Sequence, residues 1–443
     1  MSKDQPFSIY PVQGNHVKYL SGNNSKAVSS LGEEYESSYF EFNRELELDQ
    51  YDDELCSKFQ KIEKLKLKDY YQKERVPKEK LALLVSLEVC SVDKNMGDMI
   101  NLQECTRLET LICGELRHLS KEDYPPALKT LKCRYSKIRD AKNFPVSLET
   151  IDIRGCWYSS NLNSSYFNIN HLINLKELDC SQSSITDSDI NNFPVSLVRL
   201  NMAACRGIST FNINHLVNLK HIDCSTSYIT DETVNQFPIS LERIELWQCE
   251  NISAFNINHL VNLKELDCGR SPITDSAINN FPVSLEIIVL DKCKMISVFN
   301  INHLDHLKEI DCSESSITDS AITNFPISLE IVRLRRSQSI SAFNIHHLVS
   351  LKVIDCLESS VTNLAINSFP VYLERIVLCR CKNISDFRIN HLNNLKKLDC
   401  SESSITNSTI NNLPDSLEII ALTHCDKISD FNIKHLVNLK EIN

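Results

Sequence analysis

Histidine stands at 171, 215, 259, 303, 347, 391 and 435, one every 44 residues. Imidazoles in so regular a row would suit an array of metal sites. A second row with the same spacing, Asp179, Asp223, Asp267, Asp311, Asp355 and Asp399, would suit paired carboxylates acting on one bond or a ladder of calcium ions. Each of these aspartates precedes a cysteine, from Cys180 to Cys400, and another cysteine row runs through Cys156, Cys205, Cys249, Cys293, Cys381 and Cys425. With 18 cysteines in the chain, disulfide and thiolate-metal readings both arise, the tightest sulfur pair being Cys379 and Cys381. No Walker loop, Gly-x-Ser-x-Gly elbow, His-Glu-x-x-His or Gly-x-Gly-x-x-Gly occurs.

What these rows can do depends on the elements that carry them. The pattern Leu-x-x-Leu-x-Leu starts at Leu175, Leu197, Leu219, Leu241, Leu263 and onward to Leu439, so the histidine spacing spans two similar halves and the true repeat is one half. Looser copies begin at Leu148, Leu128, Leu108, Leu84 and Ile62, and Leu46 and Leu48 alternate as a capping strand would. In a segment such as Leu263 to Cys268, Leu266 and Cys268 face one way while Glu265, Asp267 and Gly269 face the other. A single strand cannot hide its apolar side; stacking copies in parallel about 4.8 Å apart builds one continuous core. Between strands, Ile273 to Phe281 starts with a helix-capping Thr-Asp and stops at Pro282, which leaves room for a turn or so of helix with Ile278 and Phe281 inward.

That stacking decides the chemistry. Successive members of one row lie two layers apart, roughly 10 Å, too far to share a metal, act on one bond or form a disulfide. The histidines are therefore expected to hydrogen-bond loop backbone, the aspartates to form a solvated stripe, and the cysteines to serve as small buried hydrophobes and weak partners of the turn backbone. Such thiols fit a reducing compartment, cytosolic or nuclear. The chain reads as a non-enzyme with no cofactor and no metal.

The motif Leu175-x-x-Leu-x-Cys-x-x-Ser-x-Ile185 resembles the leucine-rich repeat superfamily, and Leu241-x-x-Ile-x-Leu-x-x-Cys249-x-x-Ile252 resembles its cysteine-containing variety. The turn Phe281-Pro-Val-Ser-Leu285 is similar to that of FNIP repeats. The resemblance implies an α/β fold: a right-handed solenoid with a parallel sheet on the concave face and short helical or irregular turns on the convex face. Residues 1–40 are expected to be a tail or partial N-terminal cap, and 41–443 the solenoid, with degenerate repeats over 62–174 and regular ones over 175–443.

A composition of 42% hydrophobic and 24% charged residues suits a folded chain with a large core. With 47 Lys plus Arg against 58 Asp plus Glu, the net charge of −11 argues against a nucleic-acid or anionic-membrane partner. The variable outward positions of the strands are the expected contact surface for a protein partner: Arg243, Glu245, Trp247, Ile287, Val289, Ile331, Arg333, Arg335, Leu357, Arg375 and Val377. The leading expectation is a non-catalytic interaction scaffold. The resemblance also implies two alternatives: a substrate-recognition subunit of a ubiquitin ligase, although no F-box stands in the first 60 residues, and a horseshoe-type enzyme inhibitor. The chain stops within a strand at Asn443, which raises end-to-end self-association through an uncapped C-terminus.

Overall fold

The structure of the chain is a computed structural model that describes residues 44–48, 51–58, 61–67, 75–89, 100–114, 119–136, 138, 141–157, 167–429 and 432–443. The expected tail over 1–40 lies outside them. The chain divides into two compact units: one runs to Ile185 and includes Asn192–Leu197, the other comprises Thr186–Asn191 and Val198–Asn443.

In the first unit seven parallel strands follow in chain order: β1 (Glu45–Leu48), β2 (Lys64–Leu67), β3 (Ser86–Val89), β4 (Thr110–Cys113), β5 (Thr130–Cys133), β6 (Thr150–Asp152) and β7 (Glu177–Asp179). Leu46 pairs with Leu65, Leu65 with Leu87, Leu87 with Leu111, Leu111 with Leu131, Leu131 with Ile151 and Ile151 with Leu178, so every strand places a leucine or isoleucine at the same inward level. Glu45–Leu48, expected as a capping strand, is a strand with Leu46 and Leu48 buried.

The second unit holds twelve more: β8 (Arg199–Asn201), β9 (His221–Asp223), β10 (Arg243–Glu245), β11 (Glu265–Asp267), β12 (Ile287–Val289), β13 (Glu309–Asp311), β14 (Ile331–Arg333), β15 (Val353–Asp355), β16 (Arg375–Val377), β17 (Lys397–Asp399), β18 (Ile419–Ala421) and β19 (Glu441–Ile442). Each pairs in parallel with the next, and the middle residue points inward: Ile244, Leu266, Ile288 and Ile310 are all buried. Opposite the strands, single-turn helices such as Asp275–Ile278 start after a threonine, here Thr274, whose hydroxyl donates to the Ser253 carbonyl at 3.0 Å, and end before a proline. They deliver Ile278 and Phe281 into the core, where Phe281 stacks on Phe255 with ring centroids 6.1 Å apart.

The sulfur and imidazole rows act on backbone carbonyls. Cys249 Sγ donates to the Cys224 carbonyl at 3.2 Å, Cys293 to Cys268 at 3.1 Å and Cys381 to Cys356 at 2.9 Å. Where the row reads Ser337, its hydroxyl donates to the Cys312 carbonyl at 3.1 Å, so the position selects a small donor and not sulfur as such. The described cysteines are free thiols, and burial pushes Cys249 up to about 11, which keeps it neutral. His259, His303 and His347 place Nε2 within 3.0, 3.1 and 3.0 Å of the carbonyls of Phe237, Phe281 and Phe325. A carbonyl only accepts, so these rings carry their proton on Nε2.

The aspartate row differs from the solvated stripe expected of it. Asp267 Oδ1 accepts the Gly269 N–H at 2.8 Å, and Asp223 and Asp311 accept those of Ser225 and Ser313 at 2.9 Å. A short carboxylate two residues ahead of a free N–H closes a local ring that turns the chain off the strand. The turn is completed by a residue at positive φ, such as Thr226 (56°), Gln248 (53°) or Arg270 (59°), recurring once per repeat.

Candidate functional site

Outward side chains of β10 to β16 and the turn just beyond them form the strand face of the second unit. Trp247 lies here, partly exposed. The Arg270 guanidinium sits 4.9 Å from its ring centroid, a cation–π contact. The neighbouring residue is Gly269, where a built Cβ would collide with Asp291 Oδ1 and come within 3.0 Å of Trp247 Cδ1. This glycine, with ordinary negative φ, is there for space: it lets the indole and the Asp291 carboxylate share one shelf.

Ile287, Val289, Ile331 and Leu357 are partly exposed on the same face, with Val289 in register between Asp267 and Asp311. Val377 is a correction. It points outward, yet only 8% of it is exposed. It lies between Asp355 and Asp399 in register, and at that exposure it offers a partner little surface.

Arg243, Arg333 and Arg335 are already engaged within the chain. Arg243 bridges Glu245 on its own strand at 2.9 Å and Glu265 on β11 at 2.7 Å, Arg333 pairs with Glu309, and Arg335 reaches Asp355 at 2.7 Å. Arg375 lies beside Lys397 in register. Further down the face, carboxylates outnumber cations. Burial, then the neighbouring charges of Asp291 and Glu245, hold the Asp267 carboxyl above its ordinary range; burial and Asp311 do the same to Asp291, and burial raises Asp223. Beside Asp291 in the same column stands Ser313, whose Oγ is buried without a hydrogen-bond partner. In the first unit the balance is reversed at Asp152: burial pushes its carboxyl up, but hydrogen bonds from Arg154 and Arg134 outweigh that and hold it low.

A second surface was not among the expected contact residues. Val217, Ile239, Val261, Val283, Ile327, Val349 and Val371, one per repeat with Asp305 in the gap, are exposed by between 45% (Val371) and 62% (Val217). They occupy the turn that feeds each strand, two residues before the first leucine. Their backbone is tied down: Asn262 Nδ2 donates to the Ile239 carbonyl at 3.0 Å, and the Val217 and Val261 N–H groups donate to the His215 and His259 carbonyls at 2.9 and 3.0 Å. A cleft of about 400 Å³ lies against this ridge, lined by Val217, Phe237, Pro238, Ile239 and His259 among others.

Three residues beyond each ridge position stands a charge of alternating sign, half-buried or exposed: Lys220, Glu242, Lys264, Glu286, Lys308, Glu330, Lys352 and Glu374. Neighbours pair along the row, Lys220 with Glu242 at 2.9 Å, Lys308 with Glu286 at 2.6 Å and Lys352 with Glu330 at 2.5 Å. In the sequence these residues are the variable x of Phe-Pro-x-Ser-Leu and His-Leu-x-Asn-Leu, a turn position whose exposure strand alternation does not set. In the first unit, Ile173 and Tyr135 (69% and 68% exposed) and Trp157 are also exposed. Among the described residues no group of three or more His, Cys, Asp or Glu could hold a metal ion, and no helix is long and apolar enough to cross a membrane.

No family model and no curated protein matches this sequence. Among solved structures it is similar to an internalin, InlF, of Listeria monocytogenes, at 18% identity over 68% of this chain and 88% of that one, with a TM-score of 0.50. It is also similar to the functional domain of InlJ from Listeria monocytogenes, which includes a cysteine ladder (19% identity, 78% and 75% coverage, TM-score 0.54). Toll in its complex with Spatzle from Drosophila is a third (11% identity, TM-score 0.61); this chain is covered over 89% and spans 60% of that one. All three are leucine-rich repeat proteins, and at these identities the likeness concerns the fold. Parallel strands in register, buried leucines at each level and a turn closing every repeat say the same: the chain has the leucine-rich repeat fold.

Proposed function

We propose that this chain is a protein-interaction scaffold whose strand face in the second unit holds a cationic segment of a protein partner. The observation that carries the reading is the Trp247 shelf: an indole positioned by Arg270 and the Gly269 gap, beside carboxylates that burial and mutual repulsion leave under-compensated. A pre-positioned aromatic loses little freedom on binding, and such residues dominate interface energetics. An incoming lysine or arginine would relieve the repulsion that Asp267 feels from Asp291 and Glu245 and offer a donor near Ser313. Ile287, Val289, Ile331 and Leu357 supply apolar contact, while Arg243, Arg333 and Arg335, held by their own carboxylates, select against a cationic group at those points.

A net charge of −11 supports a protein partner over nucleic acid or an anionic membrane, and the free buried thiols support a cytosolic or nuclear setting. Cross-linking mass spectrometry in native extract would name the partner. The variant Trp247→Ala should then lose most of the capture, and wild-type capture should weaken steeply with salt. Undiminished capture by the variant would reject this face.

A further inference from the structure

The ridge and the charge ladder beside it have no role in that reading, and they lie off the strand face. We infer that this edge of the second unit is a homotypic interface, on which a second copy of the chain packs side by side and antiparallel. From Val217 to Val371 the ridge runs seven strand spacings, about 34 Å, with an aliphatic side chain roughly every 4.8 Å. A helical partner repeats every 5.4 Å and would fall out of phase by about 4 Å over that length. A second copy keeps phase throughout, because it carries the same spacing.

The ladder sharpens the choice of occupant. Lys and Glu alternate strictly from Lys220 to Glu374, so like charges recur every second strand. Such a row is neutral overall and offers no net attraction to an anionic bilayer or to a uniformly basic or acidic protein. Reversed, however, an alternating row is complementary to itself. A two-fold axis placed midway between adjacent repeats sets every Lys opposite a Glu of the other copy and every ridge residue opposite another ridge position. Asp305 is the one interruption between Val217 and Val371. Ridge and ladder stand three residues, about 10 Å, apart over a length of about 34 Å, so the strip falls below the ~800 Å² per partner of a standard interface and suits a weak dimer that forms at micromolar concentration. The cleft beside Val217 and Ile239 offers a recess for an opposing aliphatic side chain.

Sedimentation velocity of the full chain from low to high micromolar concentration tests this. The wild type should reach a closed dimer. Val261→Asn/Val283→Asn/Ile327→Asn leaves the core untouched, copies the Asn393 found naturally at this position, and should weaken the dimer by about a hundredfold or more. Two further chains separate the interface from general stickiness: Lys264→Glu/Lys308→Glu, whose ladder becomes acidic from Glu242 to Glu330, and Glu242→Lys/Glu286→Lys/Glu330→Lys, whose ladder becomes basic. Each alone should be monomeric with unchanged circular dichroism, and an equimolar mixture should form a heterodimer. A wild type that stays monomeric overturns the inference, as does a ridge variant that dimerises as well as the wild type. An open series of higher oligomers would indicate end-to-end pairing through β19 instead, and a monomer that co-sediments with phosphatidylcholine vesicles would make the ridge a lipid contact. Loss of partner capture by the Trp247 variant with dimerisation intact, or the reverse, keeps the two surfaces distinguishable.

Discussion

At the scale of single residues, Asp267 performs two tasks that conflict. Its carboxylate caps the Gly269 N–H, and it carries a charge that burial and Asp291 oppose. Asn201 shows that an amide meets the first task alone, accepting the Ala203 N–H at 2.9 Å at the equivalent position. Asp267→Asn should therefore stabilise the protein at pH 7. Because the folded-state pKa is raised, the native form binds its proton more tightly than the unfolded chain does; the aspartate costs nothing below the ordinary carboxylate range, and its cost grows as pH rises through the shifted value. The gain from Asn should thus be present at pH 7 and vanish in acid, as measured by denaturant midpoints across that range; an equal gain at both ends would assign the effect to something other than charge. Residue roles tied to the repeat were legible in this way. The histidines and cysteines could be assigned to backbone carbonyls because layer spacing excluded every shared site. Val377 was not legible, since direction follows from alternation while exposure depends on how far neighbouring side chains reach.

At the scale of the element, strand and helical turn were readable from leucine spacing and from Thr-Asp and Pro punctuation, and Asp275–Ile278 falls inside the segment that pattern marked out. The left-handed residue after each strand was hidden. Glycine usually announces such a position, but here Gly155 is the one glycine among the described residues that holds it, and the others are Gln, Thr, Arg, Lys, Glu, Ala, His or Tyr. The turn is imposed by what flanks it: the Asp223 cap on one side and the Thr226 N–H donated to the Trp247 carbonyl at 2.7 Å on the other. Thr226, at φ 56°, is the β-branched member of the row and the most strained. Thr226→Gly should remove a steric penalty of 1–2 kcal/mol at an entropic cost of roughly 0.5–1 kcal/mol, a net gain of about 1 kcal/mol in urea unfolding. A loss of stability would mean that the threonine side chain contributes contacts that outweigh its strain.

At the scale of the molecule, a stack whose layers touch only their neighbours should lose stability locally as well as globally. Hydrogen bonds in the second unit run from each strand to the next: Cys268 N–H to the Val289 carbonyl at 2.9 Å, Leu290 N–H to that of Asp311 at 2.7 Å, Cys312 N–H to that of Arg333 at 2.9 Å. Leu290 is fully buried directly after β12. Leu290→Ala leaves a cavity worth about 2–5 kcal/mol, far more than any one exposed Lys–Glu pair of the ladder contributes at about 0–1 kcal/mol. In a globular core that loss would be spread over every amide. In a stack it is felt by the layers that share the cavity and fades with each interface crossed. Native-state hydrogen exchange of the variant should therefore show the largest loss of protection in β11, β12 and β13, a smaller one in β10 and β14, and protection close to wild type in β17 and β18. Uniform loss across β10 to β18 would mean that the unit unfolds as one cooperative block, and the nearest-neighbour picture would not hold for this chain. A graded profile would also locate the strand face and the apolar edge on the same layers, so that a partner or a second copy covering β10 to β14 should restore protection where the cavity removed it.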